Sequence, residues 1–205
     1  MEQRRHNTRT VVLVMLAALA VVFVLVLRTS SAAFTATTDN DGNSFVAGDV
    51  VLSDDDATTQ SLFTETAFAP GATVRECIEV TYDGTIPDPA AVRLYSGGFT
   101  DVPGPAPTST GLSDHLVLTV EEGTGATFGD CSTFVAGSTI VSGVTLAAFD
   151  TARTDYATGA GVWDPSATGE AISYRFSVTL DATTTPNEEQ GAGTSDIAFV
   201  WEVTS

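Results

Sequence analysis

The chain contains no lysine, and its eight basic residues, all arginine, stand against 26 acidic ones. A surface of that sign repels phosphate backbones and anionic headgroups at ordinary salt, which excludes nucleic acid and an anionic bilayer as partners. Histidine is nearly absent: His6 and His115 are the two. One histidine beyond the first 32 residues cannot make a His-Glu-x-x-His zinc site, and no Gly-x-Ser-x-Gly elbow is present. Phosphate-cradling glycine loops and dinucleotide-binding fingerprints are missing as well. His115, after Ser113 and Asp114 at the start of a strand pattern, has the place of a solvated strand-end residue. No catalytic residue is assigned. Trp163 and Trp201 are too few to line a sugar-binding cleft, so glycoside hydrolysis by paired carboxylates is set aside.

Long apolar runs are also scarce. The single one, residues 11–27, lies behind Arg4, Arg5 and Arg9 and ahead of the tract Arg28-Thr29-Ser30-Ser31-Ala32-Ala33. A basic head, an apolar middle and a small-residue exit form a secretory signal. Signal peptidases accept small side chains at −3 and −1. Ser30 with Ala32 predicts cleavage before Ala33, and Ser31 with Ala33 predicts it before Phe34. The alternative is retention as an anchor, but 17 residues of helix reach only about 25 Å across a hydrocarbon core of about 30 Å. Residues 1–32 are therefore expected to be a signal helix that meets the membrane only transiently, and the product is expected outside the cell.

Beyond residue 32, four arginines face 25 acidic residues, a net charge of −21. Three readings of this acidity stay open: solubility in a salty or crowded exterior, calcium held by clustered carboxylates, or subunits bridged by cations. Disorder is not among them, because 43% of the residues are hydrophobic, many of them β-branched. The only cysteines are Cys77 and Cys131. In an exported chain such a pair favours a disulfide over a two-thiol metal site. It would close a loop of 53 intervening residues, stabilising the fold by roughly 4 kcal/mol on the loop-entropy model.

Alternation with period two dominates the rest. It predicts strands over residues 44–52, 62–69, 73–82, 91–95, 115–121, 139–149, 171–180 and 196–203, with a short helix as an option near 146–150. In 73–82, Val74, Glu76, Ile78 and Val80 share one face, and Arg75, Cys77, Glu79 and Thr81 the other. In the last strand Ile197, Phe199, Trp201 and Val203 share a face, which gives Trp201 a core role. Turn signals such as Pro70-Gly71, Asp83-Gly84 and Asp164-Pro165 separate the strands. The expected fold is all-β: one jelly-roll-type β-sandwich over residues 44–205, with long surface loops at 101–111 and 181–193.

Acidic clusters offer weak calcium candidates. Asp39 and Asp41 open a run similar to a calcium loop, but glycine stands fourth instead of sixth and Val50 occupies the twelfth place. Asp54, Asp55 and Asp56 form a second cluster, and Glu188 with Glu189 a third; solvated turns are the plain alternative. No firm cofactor is assigned.

Several segments, in order, resemble the TasA/camelysin family of secreted fibre proteins, whose signals are cut by a dedicated peptidase. They are Ala33-Phe34-Thr35, then Gly42-Asn43-Ser44-Phe45-Val46-Ala47-Gly48-Asp49, then Phe68-Ala69-Pro70-Gly71, then Asp83-Gly84-Thr85 with Ala91-Val92-Arg93-Leu94-Tyr95. Asn187-Glu188-Glu189-Gln190-Gly191 before the strand through Trp201 is similar to the family's ending. Two departures stand out: Asp83 replaces the commoner asparagine, and the best-known members lack the cysteine pair. The metallopeptidase label sometimes given to the family is not carried over, because no zinc-ligand set is present.

The resemblance implies a jelly-roll subunit of an extracellular filament or biofilm matrix, in which the freed N-terminus is donated as a strand to a neighbour. The arm, residues 33–43, fits: Phe34, Ala36 and Thr38 alternate with Ala33, Thr35 and Thr37, β-capable with little of their own to pack on. A disordered terminus left by processing is the alternative. Expected partners are copies of the chain in a linear polymer, with an accessory or anchor protein as a further option. Two other functions are weighed: an acidic, calcium-dependent binding module using the 101–111 and 181–193 loops, and, least favoured, a hydrolase.

Overall fold

The computed structural model describes residues 47–56, 61–183 and 187–205, together with Met15. The chain divides into two compact units, Met1–Val46 and Ala47–Ser205, of which the second holds nearly all the described residues. The expected signal helix and N-terminal arm lie outside the described residues.

The second unit is all-β, with one short helix. Its strands are β1 (Leu52–Asp54), β2 (Thr73–Tyr82), β3 (Arg93–Val102), β4 (Leu116–Thr124), β5 (Val135–Thr145), β6 (Glu170–Leu180) and β7 (Gly193–Glu202). Helix α1 (Leu146–Ala152) follows β5, and a single 3-10 turn, Asn187–Glu189, precedes β7. Five strands form one sheet in the order β1-β2-β6-β4-β5, and β3 and β7 form a second. Every pairing is antiparallel.

The inward faces of both sheets meet in one cluster. Ile78 and Val80 of β2, Leu118 and Val120 of β4, and Tyr174 and Phe176 of β6 pack with Leu94 of β3 and with Phe199 and Trp201 of β7. Phe176 and Phe199 lie 4.6 Å apart between ring centroids, and Tyr174 and Trp201 5.5 Å apart. Each such residue occupies an alternate position of its strand, which is how period two becomes a core. A smaller cluster, Leu116, Leu146 and Leu180, closes one end.

The structure meets the predicted strand 73–82 end to end in β2 and modifies the others. The strand predicted at 44–52 is represented among the described residues only by Leu52, in β1. Just before it, Asp49 binds the 83–86 turn instead, accepting from the amides of Thr85 and Ile86 and from the Thr85 hydroxyl. The strand predicted at 62–69 is absent: these residues run as irregular chain. Leu62 and Phe63, neighbours in sequence, both pack on the larger cluster, and Phe68 packs on the smaller one. A strand would point Leu62 and Phe63 to opposite faces, and Phe63 and Phe68 as well. Burying all three breaks the pleat.

β3 runs seven residues past the predicted end at Tyr95 by bulging at Gly97-Gly98, where Gly98 takes φ 101°. The optional helix is real. Thr145 caps it by accepting from the Ala148 amide at 3.2 Å, and Leu146 and Phe149, one turn apart, are its buried residues.

Candidate functional site

Cys77 and Cys131 form the expected disulfide, with Cα atoms 5.3 Å apart. Cys77 points to the outer face of β2, as its alternation requires, yet it is fully buried. The β4–β5 connection covers it: the Gly129 amide donates to the Cys77 carbonyl at 2.9 Å. Beside it on the same face, Arg175 of β6 donates to Glu121 of β4 at 2.6 Å and lies 4.6 Å from the centre of the Phe134 ring. The bridge therefore holds a loop down on the outside of the five-stranded sheet.

Of the calcium candidates, Asp39 and Asp41 lie outside the described residues. Asp54, Asp55 and Asp56 follow one another in the chain but do different work. Asp55 accepts from the Glu79 amide at 2.8 Å and from the Phe128 amide at 2.5 Å, tying β2 to the disulfide loop. Asp54 accepts from the Asp56 amide at 3.0 Å, a turn closed on itself. Among the described residues no three His, Cys, Asp or Glu side chains converge to hold a metal ion. The same holds for helices that would cross a membrane: none is long and apolar enough among the described residues.

The two long loops are joined by one carboxylate. Glu189, in the 3-10 turn, accepts from the Ser109 hydroxyl at 2.6 Å, the Thr110 amide at 2.9 Å and the Gly111 amide at 3.1 Å. The Ser109 hydroxyl, then these amides, hold its carboxyl below the usual range. Asp101 adds a second tie, accepting from the Ser113 hydroxyl and amide. The Asn-x-x-Gln-Gly segment thus carries a structural clamp at its third position.

Glu122 was missed by the sequence analysis because the predicted strand ended one residue too early. Carried on, the alternation of Leu116, Leu118 and Val120 turns Glu122 inward, where it is 2% exposed. Burial pushes its carboxyl up, against the opposing pull of the Val162 and Trp163 amides and of Arg93. Both its oxygens accept from the Val162 amide, at 3.1 and 3.3 Å, so it fixes the 160–163 segment that lines β3. The Tyr174 hydroxyl and the Trp201 indole nitrogen, buried nearby, make no hydrogen bond of standard geometry.

β7 lies at an edge of the two-stranded sheet. None of its ten residues is buried, whereas β6 hides Ser173, Tyr174, Phe176 and Leu180. Among the described residues β7 pairs only with β3, and no described residue bonds its other edge. The other edges differ from it, and β5 too is paired on one side only among the described residues. β1 is three residues long, β5 is repeatedly bulged against β4, and the outer edge of β3 bonds the 153–163 segment through Leu94 and Ser96.

Two cavities flank β7. One, of about 330 Å³, is walled by Leu118, Val178, Ile197 and Phe199. The other, of about 440 Å³, is walled by Ile78, Phe128, Phe199 and Trp201, with Asp54, Asp56 and Asp196 at its polar side. Phe63 lines both. The first is mainly apolar and the second mixed, with more polar than apolar lining; both lie beside an edge strand, a setting in which an extended peptide can bind. The expected donor residues Ala33, Phe34, Thr35, Ala36, Thr37 and Thr38, and the processing residues Ser30 and Ala32, lie outside the described residues. No protein-family model matches the chain, and no curated protein sequence matches it.

Proposed function

We propose that the chain is an exported, non-enzymatic structural subunit of an extracellular filament. Residues 33–40 of one copy lie along the free edge of β7 in the next. The β7 edge, unpaired among the described residues, with the two cavities beside it, supports this reading. Among the described residues the five-stranded sheet is matched by only two strands opposite, which leaves room for a further strand in the second layer of the jelly-roll-type sandwich proposed here. A donated strand extends that layer, each backbone bond contributing roughly 1 kcal/mol net, while Phe34 and Ala36 enter the cavities. Donor and acceptor are different surfaces, so the contact is heterologous and continues into a filament. The disulfide agrees with an oxidising exterior. A charge of −21 on each mature subunit makes growth depend on screening by salt or cations.

The test is negative-stain microscopy of the secreted protein, with its N-terminus sequenced, beside a variant lacking residues 33–40. Filaments from the first and a folded, monomeric second are expected. Equal polymerisation by both variants removes the arm from the account.

A further inference from the structure

We propose that residues 61–68 are a placeholder, a latent strand that occupies the acceptor site beside β7 in the free subunit and leaves it when the donated strand arrives. The inference rests on the strand-donation reading and adds its regulation.

Three observations carry it. First, the sequence predicts a strand over residues 62–69, yet among the described residues no backbone hydrogen bond involves residues 61–68. Facing it, the β7 edge is unpaired in the same sense. Second, among the described residues the contacts that hold the segment are made by its side chains. Phe63 stands edge-on to Phe176, 6.4 Å between ring centroids and 79° between planes, and Phe68 rests on the smaller core cluster. Phe63 and Phe68 are only half-buried, and residues 64–67 are exposed. Third, Phe63 borders both cavities, as do Ile197 and Phe199 of β7, so the segment and the edge strand share the same walls. Repulsion between Glu65 of the segment and Glu76 of β2 weakens its hold further.

A segment docked by rings but not by its backbone is displaced easily by a competitor that offers both. The incoming strand supplies the β7 ladder and an aromatic of its own, Phe34. While docked, the segment shields Phe176 and Phe199 from solvent and limits premature edge-to-edge association. Its departure becomes part of the barrier to assembly.

The experiment uses the secreted protein. Hydroxyl-radical footprinting before and after assembly reads side-chain exposure directly. Phe63 labelling is expected to rise several-fold in filaments while Phe199 labelling falls. Phe63→Ala is expected to assemble about tenfold faster, the ratio that corresponds to 1.4 kcal/mol removed from the closed state. Filaments in which Phe63 stays protected, with Phe63→Ala no faster, overturn the placeholder and leave strand donation standing. If Phe63→Ala does not fold, footprinting of the unaltered chain decides alone. No filaments under any salt condition defeat strand donation, and the placeholder falls with it.

Discussion

The Ser109 hydroxyl donates to Glu189 at 2.6 Å, and that bond makes one structure of two loops 80 residues apart. A carboxylate that gathers a hydroxyl and two amides behaves as a keystone, because each donor loses its partner when the acceptor is removed. The two loops are thereby fixed against each other beside the start of β7.

Glu189→Ala is expected to lower stability by about 2 kcal/mol, since several poorly exposed donors lose a charged acceptor. The pH dependence has a definite sign. The folded carboxyl is held below its ordinary value of 4.5, so its contribution is complete above that pH and is lost as pH falls through the folded value. Urea denaturation at pH 7 and below pH 4 measures both: the gap between parent and Glu189→Ala should close in acid.

Glu76 is expected to act in the opposite direction. It lies on the inward face of β2 between Val74 and Ile78, and burial, then Glu65, pushes its carboxyl above 4.5. A raised folded value means the ionised group destabilises the fold. The penalty is absent in acid, grows as pH rises from 4.5 through the folded value, and persists above it. Glu76→Gln should therefore raise the thermal midpoint at pH 7 and have little effect below pH 4. A midpoint at pH 7 lower than that of the parent would contradict this placement.

Opening the disulfide should destabilise the second unit by roughly 4 kcal/mol, as expected for the 54-residue separation of Cys77 and Cys131 on the loop-entropy model. The double variant Cys77→Ala/Cys131→Ala should unfold at lower urea than the oxidised parent and match the reduced parent. The cost should appear first around residues 125–134, where Gly129 is bonded to the Cys77 carbonyl. Hydrogen exchange on the oxidised and reduced chains reads that local loosening.

Strands whose alternation serves a single core were readable from sequence. β2 was bounded to the residue because Val74 through Val80 alternate cleanly and Pro70-Gly71 and Asp83-Gly84 close its ends. Trp201 was placed in the core on the same ground and stands against Tyr174. The pattern misled at residues 62–69, where apolar side chains serve two clusters from positions that no single strand face can offer. It stopped short at β3, where a glycine bulge lets the ladder continue through residues that interrupt the alternation. Glu122 lies past the end of the predicted strand, and Glu189 is read from sequence as a calcium candidate and not as a clamp, because their roles depend on amides 40 and about 80 positions distant, and nothing local marks those amides.

By itself the sequence determined the all-β class, the inward face of the strands and the cysteine pairing. Those follow from side-chain alternation along the backbone and from there being only two thiols. Tertiary structure alone decided which strands lie at the sheet edges, which carboxylates are enclosed and where residues 61–68 rest. Such outcomes depend on strand order and on partners far along the chain, and strand order is not written in any local pattern.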